Sequence, residues 1–468
     1  MHMNRLGWMV PVLLAGCAAP ESRPALAPVA MEALGLDAAN APAIDSAWWR
    51  GFGDPQLDRL VDAATAGNPS LDAAMARVRQ AQAVLSARDA ENGPNLTADG
   101  TALGQRLSGR YTIPPPYAGT VRFVGTAQAN LDWNLDLFGR QRAAIEGATA
   151  SVRAAGLDLS AARMMLAGSV VQTYLDLSRA EQEAAVAQRA IAARENSVRL
   201  TQVRIRNRLS SKLDAEAVGT LLSQAREELV RAQGASMLAA NGLAALVGRG
   251  ADFPATLTPT RLALDAALPL PSRVPADLLA RRPDVLAARS RIDAAAAGRQ
   301  VARRAFYPNV NLTALAGLQA IGIGNLFSLD AGTAGGGAAV HLPLFDNGRL
   351  RADLAGATAA EDLAIADYNG RVIGAVREAA DGLARIRSVD AQRVQAAAVV
   401  RGFAETGRLN GLRVSSGLSS RLDLVDNDVR LLDAELGAAN LLHDAAAARV
   451  QLVLALGGGF DPVQDSNP

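Results

Sequence analysis

A tandem duplication with a period of about 210 residues constrains this chain most, because whatever one half folds into, the other must repeat. Pro69 to Asn95 aligns without gaps on Pro283 to Asn309, sharing Pro69/Pro283, Ala73/Ala287, Ala74/Ala288, Arg77/Arg291 and the closing Pro94-Asn95/Pro308-Asn309. Phe138-Gly139-Arg140 matches Phe345 and Gly348-Arg349. Arg204 to Asp214 then matches Arg413 to Asp423, with Leu209-Ser210-Ser211 against Leu418-Ser419-Ser420 and Leu213-Asp214 against Leu422-Asp423. Chance likeness between alanine-rich helices would not keep a proline, a turn and a Leu-Asp pair in the same order.

Each half predicts the same elements. A helix over 55–92, or 276–305, comes first, and a segment of period two follows. Over 121–137, Val121, Phe123, Ala127, Ala129, Leu131, Trp133, Leu135 and Leu137 alternate with Arg122, Thr126, Gln128, Asn130, Asp132, Asn134 and Asp136. The second half repeats this with Val310, Leu312, Ala314, Ala316, Leu318 and Ala320 against Asn309, Asn311, Thr313 and Gln319. Pro114-Pro115-Pro116 and Gly322-Ile323-Gly324 mark loops between paired strands, predicting hairpins over 95–137 and 309–345. Proline-free tracts over 140–206 and 349–413 predict helices of about 100 Å each. The chain turns at 207–211 and 415–419, and returning helices cover 212–247 and 421–456. Domains follow: a segment 17–54, repeats over 55–248 and 276–457, a linker 249–275 and a tail 458–468.

Strands with one apolar and one polar face cannot end in open edges within lipid, where unpaired backbone groups have no water to bond. Four strands are too few to close alone, since membrane barrels begin at about eight. The chain must therefore share a barrel with copies of itself, with Asp132, Asn134 and Asp136 facing inward and the apolar set facing lipid. Two copies would give eight strands and three would give twelve.

The amino terminus addresses compartment. Met1 to Arg5 form a charged start and Leu6 to Ala15 an apolar run too short for the roughly 30 Å hydrocarbon core, as in a cleaved signal peptide of residues 1–16. It ends in Leu14-Ala15-Gly16-Cys17, a lipoprotein signal that puts N-acyl and S-diacylglycerol lipid on Cys17. The residue after it, Ala18, fits sorting to the outer membrane. Cys17 is the only cysteine, which excludes an internal disulfide or a CxxC metal site. After Cys17 no helix-length apolar stretch is free of glycine, so no transmembrane helix is expected. Lys and Arg number 47 against 46 Asp and Glu, and cleavage removes only Arg5, leaving 46 of each; such balance argues against nucleic acid as a partner.

Catalysis has no support in the sequence. His2 leaves with the signal, and neither His341 nor His443 has ligand spacing around it. Gly335-Gly336-Gly337 lacks the Lys-Ser/Thr of a phosphate loop, and Arg281-Arg282 reads as a solvated corner before a helix. No cofactor and no metal site is expected.

The chain resembles the TolC-like outer-membrane factors, and more closely their lipidated efflux branch, often called NodT-type. The resemblance rests on the lipobox, Trp48-Trp49, Asp132-Trp133 with Leu135 to Arg140, Arg281 to Asp284, Phe306-Tyr307-Pro308 and Pro343 to Arg349. It implies a mainly α fold with a membrane β-barrel portion: a homotrimer with a twelve-stranded barrel, a long antiparallel helical barrel projecting into the periplasm, and docking to a periplasmic adaptor (membrane fusion protein) and an inner-membrane resistance-nodulation-division pump. Such a protein is a passive exit duct for drugs or other small molecules, not an enzyme. The runner-up is a type I protein-secretion duct, which usually lacks the lipobox; a rival of another class is a periplasmic coiled-coil protein with no pore. In the family, hairpin tips meet the adaptor, which points to Arg208-Leu209-Ser210-Ser211 and Gly417-Leu418-Ser419-Ser420. The spacings Ser211-x-x-Asp214 and Ser420-x-x-Asp423 are explained by helix capping, so Leu209 and Leu418 carry the adaptor contact. Asp423 and Asp426 resemble the family's aspartate pair at the periplasmic gate; Asp423 shares the capping role of Asp214, whereas Asp426 stands opposite Ala217 and is the better candidate for the lumen.

Intact-mass spectrometry of protein taken from membranes should give a mature chain beginning at an acylated Cys17. An unmodified thiol there, or a start elsewhere, would contradict the lipobox reading.

Overall fold

The computed structural model describes residues 22–30, 34, 44–110, 113–265, 270–271 and 281–460. The expected signal peptide 1–16, Cys17, residues 276–280 and most of the tail lie outside the described residues. The chain divides into two compact units.

One unit gathers residues 22–28, 77–155 and 288–368 around a four-stranded antiparallel sheet. Strands β1 (Asn95–Arg106), β2 (Val121–Asn134), β3 (Asn309–Ile321) and β4 (Gly332–His341) lie side by side in chain order. Opposed residues in an antiparallel ladder share a face. The register sets Leu131 beside Leu96 and Ala314, Ala129 beside Ala98 and Ala316, and Trp133 beside Leu312. Asn130 stands beside Thr97, Gln128 beside Asp99, Asp132 beside Thr313, and Asn309 beside His341. Both repeats thus send their apolar sets to one face and their polar sets to the other.

The predicted strand 121–137 ends at Asn134. Asp136 takes φ 37° and turns the chain, and its carboxylate accepts from Gln141 N at 2.8 Å and Arg142 N at 2.9 Å. It thereby caps helix α3 (Arg140–Arg206), which is 67 residues or about 100 Å long. Asp346 repeats the device for α6 (Arg349–Ser415), accepting from Gly348 N and Leu350 N. The repeated Gly-Arg pair therefore marks a turn into a helix. Residues 22–26 lie along α6: Ser22 shares a 2.5 Å hydroxyl contact with Thr358, and Asp362 accepts from Leu26 N.

The second unit holds residues 29–76, 156–287 and 369–468. The helix predicted over 55–92 is two, α1 (Pro55–Gly67) and α2 (Pro69–Ala90). Pro69 has no N–H to donate and disfavours helical geometry at Asn68, which is extended at ψ 122°. Asn68 Oδ1 accepts from Ser70 N, and its Nδ2 donates to Leu246 O of α4 (Lys212–Val247). Trp48, Phe52, Leu57, Val61, Val170, Val171, Leu175 and Leu243 are buried together in the main apolar core. By length and composition alone α3 could cross a membrane, but Leu166, Ala167, Val170, Val171 and Leu175 of this helix lie in that core.

Arg282 corrects a second expectation. It is no solvated corner: its guanidinium is buried at the start of α5 (Pro283–Arg304), bonding Asp284 at 2.8 Å, Glu378 at 2.7 Å and Ala455 O, in the last turn of α7 (Arg421–Ala455), at 3.1 Å. Burial alone would lower its pKa, but the two carboxylates outweigh burial and raise it. His443 is buried in α7, with ring nitrogens 3.1 Å from Ala439 O and 3.3 Å from Ser178 Oγ, and burial pushes its pKa down.

A buried polar clamp holds part of the inter-repeat linker against this core. Asp54 accepts from Tyr174 Oη at 2.6 Å, Arg261 N at 2.8 Å and Gln56 N at 2.9 Å. Gln56 accepts from Thr258 N and donates to Thr258 O, while Glu181 accepts from Thr260 N. Burial would raise the Asp54 pKa, yet these donors outweigh it and hold the carboxyl low. The stabilisation is present above the ordinary carboxylate range and is lost as pH falls through the depressed value. Tyr174→Phe removes the hydrogen bond donated to Asp54 and the one accepted from Gln56 Nε2, and should cost about 1–3 kcal/mol, read as an earlier loss of helical circular dichroism in guanidinium. An unchanged midpoint would mean the clamp contributes nothing to stability.

Candidate functional site

Two features of the chain bear on function: the two-faced sheet and the pair of helical hairpin tips. On the polar face of the sheet, Asn130 Nδ2 donates to Asp99 at 2.8 Å, Gln128 Nε2 donates to Asn130 Oδ1 at 3.0 Å, and the Thr101 and Thr126 hydroxyls meet at 2.5 Å. On the opposite face Leu96, Phe123, Trp133 and Val340 are exposed. The loop after β3 folds back onto that same face: a Cβ on Gly125 would lie 3.0 Å from Leu326, so the missing side chain makes room for it. Strands β1 and β4 each have one neighbour among the described residues, which leaves one ladder of backbone donors and acceptors open at either edge.

The two tips repeat one another in detail. Arg208 at φ 58° and Gly417 at φ 73° make the left-handed step that reverses the chain, a step glycine takes freely and arginine takes under strain. Leu209 N donates to Arg204 O and Leu418 N to Arg413 O, each at 2.8 Å. Both leucines stand in solvent, 67% and 71% exposed. Ser211 and Asp214 form a capping box at the start of α4, and Ser420 and Asp423 form another at the start of α7. Asp214 accepts from Ser211 N at 2.8 Å; Asp423 accepts from Ser420 N at 3.0 Å and from Ser419 Oγ at 2.8 Å. For Asp214 the Ser211 backbone N–H is the main cause of a lowered pKa, and for Asp423 it is the Ser419 hydroxyl. Asp423 is thus occupied in capping its helix.

Asp426, one turn on, caps nothing. Its side chain is 67% exposed, and among the described residues its charged partner is Arg194 of α3, at 3.5 Å. Such an exposed pair contributes about 0–1 kcal/mol.

Reading the sequence did not find Arg204, which brings the tips together. Its Nε donates to Ser210 Oγ at 3.0 Å, Nη2 to Leu209 O at 3.4 Å and Nη1 to Ser420 Oγ at 3.3 Å. Its identity with Arg413 in the duplication was visible, but the contact with Ser420 bridges 216 residues and has no local signal. Among the described residues no three His, Cys, Asp or Glu side chains come together to hold a metal.

Comparison with known proteins agrees with this geometry. The profile of the family described as Outer membrane efflux protein matches the chain twice, over residues 60–249 and 274–458. The chain is 32% identical to outer membrane protein OprJ of Pseudomonas aeruginosa, covering 97% of this chain and 95% of that one. It is 35% identical to fusaric acid resistance protein FusA of Burkholderia cepacia, over 75% of this chain and 68% of that one. The crystal structure of outer membrane protein VceC from Vibrio cholerae superposes with a TM-score of 0.80 at 31% identity, covering 89% of this chain and all of the other.

Proposed function

The chain belongs to the outer membrane efflux protein family, and from that premise we propose that it is one protomer of a homotrimeric exit duct, the last and passive stage of a tripartite efflux system. Its place is the outer membrane, and it belongs with channels, not enzymes. Three copies share their strands in a twelve-stranded barrel, and their long helices wall a tunnel that projects into the periplasm. A periplasmic adaptor hands over drugs or other small molecules from an inner-membrane pump of the resistance-nodulation-division class. The lipid on Cys17 adds a second hold on the membrane beside the barrel. A relative named for fusaric acid resistance supports small-molecule export over protein secretion.

The observation that carries this reading is the sidedness of the sheet. Leu96, Leu131, Ala314 and Gly336 lie abreast on one face, and Thr97, Asn130, Leu315 and Gly335 form the next row on the other. A polar face and an apolar face on one sheet suit water inside and lipid outside. The polar face is not uniformly polar: Leu315 stands beside Asn130, and Leu103, Val124 and Ile321 form an apolar row further along it. At the tips, exposed Leu209 and Leu418 suit burial against the adaptor's own hairpins, with Arg208, Ser210, Ser211, Gly417, Ser419 and Ser420 around them.

Three copies of Asp426 would ring one narrow neck, with Asp423 and Arg421 nearby, and close carboxylates in a restricted channel attract cations and impede anions. Planar-bilayer recording tests both duct and gate. The wild type should conduct with a preference for cations, and Asp426→Ala should weaken that preference and raise basal conductance as the Arg194 contact is lost. Asp214→Ala, at the third position of a capping box, should loosen the first turn of α4 and leave selectivity alone. No conductance would contradict the duct, and equal effects of the two substitutions would make Asp426 an ordinary solvated residue.

A further inference from the structure

The two long helices end in matching arginines, Arg204 and Arg413, but among the described residues only the guanidinium of Arg204 makes hydrogen bonds. Arg204 is half-buried and holds its own turn through Ser210 and Leu209, then reaches the cap of the next hairpin at Ser420. Arg413 is exposed; among the described residues its guanidinium makes no hydrogen bond or ion pair and acts only through its charge on Asp423. The serines show the reverse pattern. Ser420, which receives Arg204, is half-buried, whereas its repeat mate Ser211 is exposed. Next to them Leu422 is half-buried and its mate Leu213 is 77% exposed. One clasp therefore employs the first arginine and the second serine, and leaves the second arginine without a serine and the first serine without an arginine.

That remainder is what a head-to-tail ring leaves at the two ends of each unit. Two hairpins joined by one clasp have a donor end and an acceptor end, and a heterologous contact that closes on itself satisfies both. We propose that Arg413 makes between neighbouring copies of this chain the clasp that Arg204 makes within one, holding its own Ser419 and reaching Ser211 of the next copy. The chemistry of both ends fits. A guanidinium presents five donors in a planar fork, enough for a carbonyl and two hydroxyls at once. Ser211 Oγ accepts from Asp214 N at 3.3 Å, and a hydroxyl has a second lone pair left for another donor. The ring so formed would alternate clasps within and between chains, with every hairpin tip tied to both neighbours. This inference rests on the trimeric reading above and adds to it the residues that join the tips.

Thiol crosslinking in membranes tests it, with the wild type, whose only cysteine is Cys17, as the control. Arg413→Cys combined with Ser211→Cys, treated with a short bismaleimide, should convert most of the single-chain band on denaturing gels to two and three linked chains. Arg204→Cys combined with Ser420→Cys should react equally well and stay at the mass of one chain. If the first pair fails to link chains in protein that native mass spectrometry finds trimeric, the clasp is wrong and the duct stands. Protein that proves monomeric would overturn both.

Discussion

Everything in this structure depends on where the backbone groups of β1 and β4 find partners. A hydrogen bond left unmade in hydrocarbon costs several kcal/mol, and each edge strand presents a whole row of such groups. The four strands also separate apolar from polar side chains face by face, so the sheet has a lipid side and a water side before any neighbour is added. A sheet of that kind is stable only when closed. Closure by identical copies meets the edge requirement and the sidedness requirement together, and it puts Asn130, Gln128 and Asp132 around water.

The helical part faces a different problem, since hairpins 67 residues long on one arm bury little per residue and are rich in alanine. Three devices anchor them. The Asp54–Tyr174–Gln56 clamp ties residues 258–261 to α3, and Arg282 joins the start of α5 to α6 and the end of α7. Arg204 joins the tips. All three are polar contacts between segments far apart in sequence.

The elements encoded locally were legible in the sequence. Strand alternation, the long proline-free helices and the two Ser-x-x-Asp caps are local signals; the structure places the helices and caps within two residues, while β2 stops three residues short of its expected end. The duplication carried the rest of the outline, because a weak strand such as β3 inherits its reading from β2. What failed was nonlocal or conflicted. Pro69 sits inside a run of helical periodicity, and the break it causes at Asn68 was outweighed in reading by the pattern on either side. Leu135 and Leu137 continue the alternation of β2, yet the need to cap α3 turns Asp136 out of the strand. Arg282 reads as surface because arginine usually is, and only the folded chain brings Glu378 and Ala455 to it. Arg204 and its contact with Ser420 belong to the same class.

The claim that three chains close one barrel is tested most directly by counting them. Native mass spectrometry of the protein in detergent should give a complex of three copies with its β-structure intact. A stable monomer with full β-content would show that four strands can satisfy their own edges, and the shared barrel would have to be abandoned.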